Sequence, residues 1–340
     1  MAVKAFVLDA PGKFEVREVE TPNLGCGEVL IRVAACGICG SDIPRVMETG
    51  AYRHPLIPGH ELAGYVHSVG EGVDEGLLGM AVAVYPLIPC RRCEQCLKGL
   101  FNLCESYDYL GSRRDGGFAE FVLAPAQNIV PIPNGVNVEH AALSEPSAVA
   151  FHGLMRVGLS DGESILVLGA GPIGLLICQI AKLMGSRNVF VFDVVDWKME
   201  IAEKNGWAKC VSESEIAKGS LKVDIIVDAV GAPSVLLTAL KVAGKRSRIL
   251  LIGNPHGNVT LEKALLSKVL RSELHIVGSW NSLCESEWET ILNWMAKGDL
   301  AIEPLITHRL KLEDLPKAFV EMSLGKMQAV KALVITLDRR

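Results

Sequence analysis

The middle of the chain alternates short apolar runs with segments in which apolar residues recur at helical spacing. Strands alternating with helices predict a parallel sheet with helices on both faces, so the expected fold class is α/β with a doubly wound sheet. The predicted strands are Ser164–Leu168, Asn188–Phe192, 223–227 and 248–252, and the predicted helices are 173–184, 198–205 and 234–243.

The two ends of the chain have other patterns. Residues 1 to about 145 are rich in β-branched residues, glycine and proline, and predict short strands, such as 28–33 and 61–69, with long loops between them. From about residue 275 the alternation ends, and the pattern predicts a strand at 276–279 and helices at 285–297 and 312–323. No repeat or low-complexity linker separates these regions, so we expect domains packed around a cleft.

The composition is that of an ordinary globular protein. Of 340 residues, 49% are hydrophobic and 21% charged, and the net charge is −5. Without a basic block in the sequence, nucleic acid and anionic membrane are poor candidates as partners. The N-terminal MAVKAFVLDA does not resemble a signal peptide, and the longest apolar run, 165–181, is short for a membrane span and contains glycine and proline.

A glycine-rich segment predicts a dinucleotide site. Gly169, Gly171 and Gly174 form G-x-G-x-x-G after an apolar strand and at the start of a helix, and Asp193 ends the next strand. These glycines permit a tight turn, a close approach to pyrophosphate and close helix packing, respectively. Asp193 is expected to accept hydrogen bonds from ribose hydroxyls, which favours NAD over NADP. The alternatives are a glycine turn without nucleotide and, for Asp193, a helix N-cap.

Four cysteines are clustered with the spacing C-x2-C-x2-C-x7-C. In a reducing compartment such a cluster is more typical of a metal site than of disulfides. Four thiolates suit a tetrahedral structural zinc ion, although an iron–sulfur cluster also takes four cysteines. These residues are Cys90, Cys93, Cys96 and Cys104.

A second set of possible ligands is dispersed. Cys39 lies in CGSD, His60 and Glu61 lie in PGHE, and Glu145 lies in SEP. A zinc ion held by one thiolate, one imidazole and a carboxylate or water keeps an exchangeable position, as catalysis requires. Taken singly, His60 is equally well explained as a buried hydrogen-bonded histidine and Glu145 as a helix N-terminal carboxylate. Cys36 is expected to pack in the core.

The order and separation of these motifs resemble the zinc-containing medium-chain dehydrogenase/reductase superfamily over the whole chain. The matching segments are 39–42, 59–61, the four-cysteine loop, 169–174 and 228–231. Glu145 resembles the polyol (sorbitol) dehydrogenase branch, because the alcohol dehydrogenase type has a cysteine there. Segments 39–45, 96–99, 111–120, 276–280 and 303–306 resemble polyol-phosphate enzymes of that branch, and 281–287 departs from them.

The resemblance implies a GroES-like, β-rich catalytic domain formed by residues 1–148 and 276–340, with a Rossmann coenzyme domain at 149–275. It implies NAD, one catalytic and one structural zinc ion per subunit, and a cytoplasmic homodimer or homotetramer. The implied activity is hydride transfer to NAD from a secondary alcohol of a polyol or a polyol phosphate such as galactitol 1-phosphate. Sorbitol (L-iditol) and threonine are alternative substrates.

The resemblance also implies roles for single residues. Cys39, His60 and Glu145 are expected to bind the catalytic zinc, with Glu61 beside it as a further ligand or an orienter of bound water. Ser41 is expected to pass the released proton on. Asp42 is a partner for the second ring nitrogen of His60, and Lys331 is a weaker candidate for the coenzyme pyrophosphate. Further candidates are Pro172, Ile173 and Lys198 for the coenzyme, and Arg45, Arg113 and Arg114, if not merely surface arginines, for a substrate phosphate.

Two other classes of function compete with a dehydrogenase. A zinc hydrolase with Glu61 as its base does not explain the dinucleotide motif followed by Asp193. A non-enzymatic NAD sensor would be expected to lose a ligand of the open zinc site, yet Cys39, His60 and Glu145 are all present.

Overall fold

The computed structural model describes residues 2–219 and 221–337. Its strands are β1 (Ala2–Ala10), β2 (Lys13–Glu20), β3 (Glu28–Gly37), β4 (Glu61–Val69), β5 (Ala81–Val84), β6 (Leu87–Ile88), β7 (Asp108–Tyr109), β8 (Phe121–Pro125), β9 (Ile129–Pro131), β10 (Ser164–Leu168), β11 (Asn188–Phe192), β12 (Lys209–Cys210), β13 (Ile225–Asp228), β14 (Arg248–Leu251), β15 (His275–Gly278), β16 (Ile306–Leu310) and β17 (Lys331–Ile335).

The helices are mostly short. They are α1 (Asp42–Pro44), α2 (Glu94–Leu97), α3 (Val138–Ala141), α4 (Ser144–Val157), α5 (Pro172–Leu183), α6 (Asp196–Lys204), α7 (Glu213–Ala217), α8 (Pro233–Val242), α9 (Lys263–Arg271), α10 (Cys284–Lys297) and α11 (Leu315–Ser323). A π-helical turn, Arg45–Thr49, continues α1, and 3-10 turns occur at Glu75–Leu77, Phe101–Leu103, Ala126–Asn128, Glu303–Leu305 and Leu312–Asp314. Within the described ranges, no helix combines the length and the apolar character that crossing a membrane requires.

The chain forms two compact units, one from Met1–Glu145 with Leu283–Arg340 and the other from Pro146–Ser282. The second unit contains a six-stranded parallel sheet in the order β12-β11-β10-β13-β14-β15. The strand order reverses on either side of β10, which is the position at which doubly wound folds bind ligands. The α/β fold class is confirmed, and β10 and β11 have the predicted bounds.

The alternation of strands and helices continues beyond residue 275, contrary to the sequence-based expectation. Strand β15 pairs in parallel with β14 and lies in the second unit, whereas the predicted coenzyme domain stops at 275. The preceding helix, α9, was missed, although its apolar residues recur at helical spacing and Leu265 and Val269 pack against the core of the second unit.

The first unit is built around a mostly antiparallel sheet in the order β16-β17-β3-β4-β5-β9, with β8 also paired to β3. Strand β3 runs antiparallel to both β4 and β17, and Gly37 at its end lies opposite Glu61 and Leu333. The end of β3 and the starts of β4 and β17 are therefore neighbours. A core that includes Phe6, Phe118 and Phe319 supports this sheet.

Candidate active site and metal centres

Cys39, His60 and Glu61 converge at one end of the first unit's sheet. Cys39 follows β3, His60 precedes β4 and Glu61 begins it, and the antiparallel pairing of the two strands brings these segments together. One ligand atom from each of the three residues lies within 4.8 Å of the others. A thiolate, an imidazole and a carboxylate are a donor set that zinc accepts.

Buried carboxylates surround these ligands. Asp42, Glu61 and Glu145 are 0%, 1% and 7% exposed. Lys331 and Arg45 form ion pairs with two of them, Glu61 and Asp42 respectively. Burial raises the pKa of Glu145 to about 7. Since buried negative charge is costly unless it is compensated, the site fits a divalent metal ion.

Lys331 holds Glu61 in place. Its Nζ donates to the two carboxylate oxygens at 2.7 and 2.6 Å and to the carbonyl of Ile38 at 3.0 Å. A Cβ atom at Gly37 would lie 2.1 Å from Glu61 Oε2, so glycine leaves the room that this carboxylate occupies. This contact was missed in the sequence; the available signal was a lysine in the otherwise apolar strand KALVI.

Residues of the CGSD segment support the Cys39 thiol and His60. Asp42 Oδ2 accepts a hydrogen bond from the backbone N–H of Cys39 at 3.0 Å, and Ser41 Oγ donates to Cys39 Sγ at 3.3 Å. Asp42 also forms an ion pair with Arg45. His60 Nδ1 lies 3.6 Å from Asp42 Oδ1, longer than a hydrogen bond. Burial disfavours the imidazolium of His60, but Asp42 and Cys39 outweigh it and hold its pKa well above the ordinary value.

Tyr109 is a further residue of this site, and nothing in the sequence pointed to it. Its hydroxyl donates to Glu145 Oε1 at 3.3 Å, and its ring contacts the ring of His60 edge-on with centroids 5.7 Å apart. Glu145 lies in the first turn of α4 and is not among the three residues whose ligand atoms lie within 4.8 Å of one another. The choice between Glu61 and Glu145 as the zinc ligand stays a prediction.

The four cysteines lie between β6 and β7, which pair with each other and close the loop. The Sγ atoms of Cys90 and Cys96, and those of Cys93 and Cys104, are 4.0 Å apart. Four thiolates at 2.3 Å from one zinc ion would be separated by about 3.8 Å. All four Sγ atoms lie within 4.8 Å of one another, whereas sulfurs bound to separate irons of a cluster would lie farther apart and a disulfide would be far shorter. Backbone N–H donors of Arg92 and then Cys93 lower the pKa of Cys90 to about 6, which favours its thiolate.

The glycine-rich segment in the second unit has the geometry that a dinucleotide requires. Gly169 has a φ of 106°, and a Cβ atom at Gly174 would lie 1.8 Å from the carbonyl oxygen of Gly169. Gly171 is the N-cap of α5, Pro172 follows at its start, and a Cβ at Gly171 would meet no atom within 4 Å. Open space at the N-terminus of α5 suits a pyrophosphate.

Asp193 follows β11 at the same end of the sheet. Its Oδ2 accepts from the N–H of Ala170 at 2.7 Å, and its Oδ1 accepts from Val195 at 2.9 Å. The carboxylate is thereby fixed beside the glycine-rich turn and is not the N-cap of α6, which is Val195. Lys198, in the first turn of α6, has its Nζ 5.9 Å from the ring of Trp197.

Two of the three arginines proposed for substrate phosphate are neutralised by carboxylates. Arg45 pairs with Asp42, and Arg114 pairs with Glu28 at 2.8 Å. The guanidinium of Arg113 instead lies over the rings of two tyrosines.

Comparisons with known proteins agree with these features. Residues 25–134 match the alcohol dehydrogenase GroES-like domain, and residues 172–297 match the zinc-binding dehydrogenase domain. The chain is 34% identical to galactitol 1-phosphate 5-dehydrogenase of Escherichia coli K12, covering 98% of this chain and 100% of the relative. It is 33% identical to L-threonine 3-dehydrogenase of Pyrococcus horikoshii, over 92% of each chain.

Solved structures show the same fold. The crystal structure of galactitol-1-phosphate dehydrogenase from Escherichia coli superposes with a TM-score of 0.91, at 34% identity over 98% of this chain and 99% of the other. The alcohol dehydrogenase RspB from Escherichia coli CFT073, complexed with NADH, has a TM-score of 0.89 at 31% identity with the same coverage. A zinc-binding dehydrogenase from Sinorhizobium meliloti, bound to NADP, has a TM-score of 0.90 at 29% identity, again with that coverage. The chain therefore belongs to the zinc-binding dehydrogenases, a family of oxidoreductases with the GroES-like and Rossmann-type domains of the medium-chain superfamily.

Proposed function

We propose that this protein is a zinc-dependent polyol dehydrogenase that oxidises a secondary alcohol of a polyol phosphate, galactitol 1-phosphate or a close analogue, and reduces NAD. The observation that carries the proposal is the convergence of Cys39, His60 and Glu61 within 4.8 Å among buried carboxylates. The full-length similarity to galactitol 1-phosphate 5-dehydrogenase supports this choice of substrate class.

Each residue in and around the Cys39, His60 and Glu61 set would have a separate role in oxidising an alcohol. When bound, the zinc ion would act as a Lewis acid that makes the substrate hydroxyl more acidic. Cys39, His60 and one of Glu61 and Glu145 would hold it. Ser41, hydrogen-bonded to Cys39 Sγ, would pass on the proton that leaves the alcohol. Tyr109 donates a hydrogen bond to the Glu145 carboxyl and orients it.

We infer that NAD is preferred over NADP. The related structures hold either coenzyme, so family membership does not decide the question. Asp193 is fixed beside the glycine-rich turn by two backbone N–H groups. A carboxylate there would accept hydrogen bonds from the ribose hydroxyls and repel a 2′-phosphate. Gly169, Gly171 and Gly174 would accommodate the pyrophosphate, with Pro172, Ile173 and Lys198 in the adjoining helices.

We further propose a cytoplasmic homodimer or homotetramer. Strand β15 is the last strand of its sheet, its residue Ile276 is 46% exposed, and Leu266 and Leu270 of α9 are 58% and 76% exposed. An exposed edge strand and exposed apolar side chains in the same unit suit association with a second copy of the chain. The cluster of unpaired cysteines suits a reducing compartment.

The direct test is to incubate the purified zinc-loaded protein with NAD and measure absorbance at 340 nm. The substrates are galactitol 1-phosphate, galactitol, sorbitol and L-threonine, each also tested with NADP and after chelation. We expect the highest kcat/KM with galactitol 1-phosphate and NAD, and loss of activity after zinc removal. A higher kcat/KM with L-threonine or free sorbitol would overturn the substrate class. Absence of reduced coenzyme with every substrate would favour a hydrolase or an NAD sensor.

A further inference from the structure

Arg113 contacts two aromatic rings. Its guanidinium carbon lies 4.1 Å from the ring centroid of Tyr52 and 4.5 Å from that of Tyr107. Both distances are typical of cation–π contacts. Contacts of this kind use the faces of the rings and leave the guanidinium N–H groups available for hydrogen bonds.

Among the side chains and backbone groups that the structure describes, which leave out the side chain of Glu285, none accepts a hydrogen bond from the Arg113 side chain or forms an ion pair with it, and the Arg113 Nε is a buried donor with no acceptor among them. Arg45 and Arg114, by contrast, are paired with Asp42 and Glu28. A buried donor without an acceptor costs free energy, which a bound anion would recover.

A series of ring contacts connects Arg113 with the predicted zinc ligands. The ring of Tyr107 meets the ring of Tyr109 edge-on with centroids 6.2 Å apart. Tyr109 in turn contacts His60 through its ring and Glu145 through its hydroxyl. Two tyrosine rings, those of Tyr107 and Tyr109, therefore connect the guanidinium of Arg113 with the ring of His60.

The loop that carries Arg113 is fixed against the segment that carries His60. The N–H of Gly117 donates to the carbonyl of Gly59 at 2.8 Å, and a Cβ atom at Gly116 would lie 2.0 Å from that same oxygen. Within the loop, the N–H of Arg113 donates to the carbonyl of Tyr109 at 2.9 Å. Since Gly59 directly precedes His60, the backbone of Arg113 is held at a set position relative to the ligand.

We propose that Arg113 binds the phosphate group of a phosphorylated polyol whose reacting hydroxyl lies at Cys39 and His60, and so determines the preference for phosphorylated over free polyols. This inference rests on the proposed function and names the residue that selects the substrate class. A planar guanidinium donates two parallel hydrogen bonds to a phosphate, which a neutral terminal hydroxyl cannot match.

The test measures the ratio of kcat/KM for galactitol 1-phosphate to that for free galactitol. In Arg113→Met we expect the ratio to fall about 100-fold, because two hydrogen bonds to a charged group are lost. Arg113→Lys should recover part of the lost ratio, because a lysine keeps the positive charge but not the two parallel N–H donors of a guanidinium. Arg114→Gln is the matched control: it removes the same charge from the next residue, and its ratio should stay within about twofold of wild type, because Glu28 already neutralises Arg114.

A binding measurement separates recognition from folding and turnover. Calorimetry should show a Kd for galactitol 1-phosphate that is weaker in Arg113→Met by a similar factor, with the circular dichroism spectrum unchanged. Suppose that wild type oxidises galactitol 1-phosphate, but that Arg113→Met keeps the wild-type ratio of kcat/KM values and the wild-type Kd for galactitol 1-phosphate. This inference is then wrong, and the proposed function stands. If wild type oxidises no polyol or polyol phosphate, the proposed function fails. If Arg113→Met impairs L-threonine oxidation rather than phosphate selectivity, the recognised anion is a carboxylate, which overturns the phosphate assignment.

Discussion

Lys331 and Glu61 form an ion pair in the core of the first unit, with the ammonium 2.7 and 2.6 Å from the two carboxylate oxygens. The residues are 2% and 1% exposed. Burial disfavours the ammonium of Lys331, but Glu61 outweighs it and raises the pKa of the lysine, so the lysine keeps its charge. The Glu61 carboxylate thus binds Lys331 and also lies among the possible ligands of the predicted metal site.

Removal of Lys331 should be costly. In Lys331→Met the Glu61 carboxylate loses its hydrogen-bonded cation, and we expect the free energy of unfolding to fall by about 3–5 kcal/mol. Urea denaturation of the zinc-loaded protein measures the change. Lys4→Met is the control, since Lys4 and Glu313 pair at the surface with half-exposed side chains, and its effect should be below about 1 kcal/mol. Equal effects for the two variants would show that the buried pair contributes no more than a surface one.

The two metal sites should lose zinc independently. Wild type is expected to hold two zinc ions per chain, and Cys39→Ser should hold one, remain folded and lose at least about 1,000-fold of its activity, because the exchangeable metal is gone. Cys93→Ser should lose the other ion and unfold at a lower temperature. Elemental analysis by mass spectrometry checks the zinc content, with the exposed Cys26→Ser as the control that retains both ions. Retention of two ions by Cys39→Ser would contradict its role as a ligand.

Coenzyme preference should depend on Asp193. In Asp193→Ala the repulsion of a 2′-phosphate disappears and the acceptors for the ribose hydroxyls are lost, so the ratio of kcat/KM for NADP to that for NAD should rise at least about 10-fold. Asp196→Ala is the matched control, because Asp196 is an exposed carboxylate three residues away at the start of α6. A ratio that changes equally in both variants would indicate a general charge effect instead of a contact with the ribose.

Subunit association should depend on the exposed edge of the second unit's sheet. Ile276→Glu places a charge on β15, and we expect it to shift the protein to a monomer, because a charge buried in an interface without a partner is unfavourable. Light scattering after size-exclusion chromatography measures the molar mass. Leu324→Glu, at a residue that is 61% exposed in the first unit, should leave the mass unchanged. A wild-type protein that is itself monomeric would reject the proposed oligomer.

The sequence predicted best what depends on local spacing. The bounds of β10 and β11 agree with the apolar runs, and the glycine-rich turn has the backbone geometry that its motif indicates. The four cysteines lie together because a short loop keeps them close whatever the rest of the fold does. Helix α9 was missed, although its sequence carries a helical hydrophobic period and Leu265 and Val269 pack against the core.

The parts that could not be predicted depend on contacts between distant segments. Lys331 reaches Glu61 only because β17 pairs with the end of β3. The position of Tyr109 beside Glu145 depends on the pairing of β7 with β6, which the cysteine loop connects. The sequence does not indicate which of the three candidate arginines is free of a carboxylate partner. In the structure, carboxylates pair with Arg45 and Arg114 and so distinguish them from Arg113.

The close crossing of Gly59 with Gly111 and Gly116 limits how this enzyme can be redesigned. A methyl group on either of the latter two glycines would lie 2.6 Å or less from the backbone of Gly59, so substitutions there would displace the segment that carries His60 along with the loop itself. A library aimed at new substrates should therefore leave these glycines unchanged and vary the side chains around Arg113. The close contacts of the glycines fix the backbone of the loop that carries those side chains.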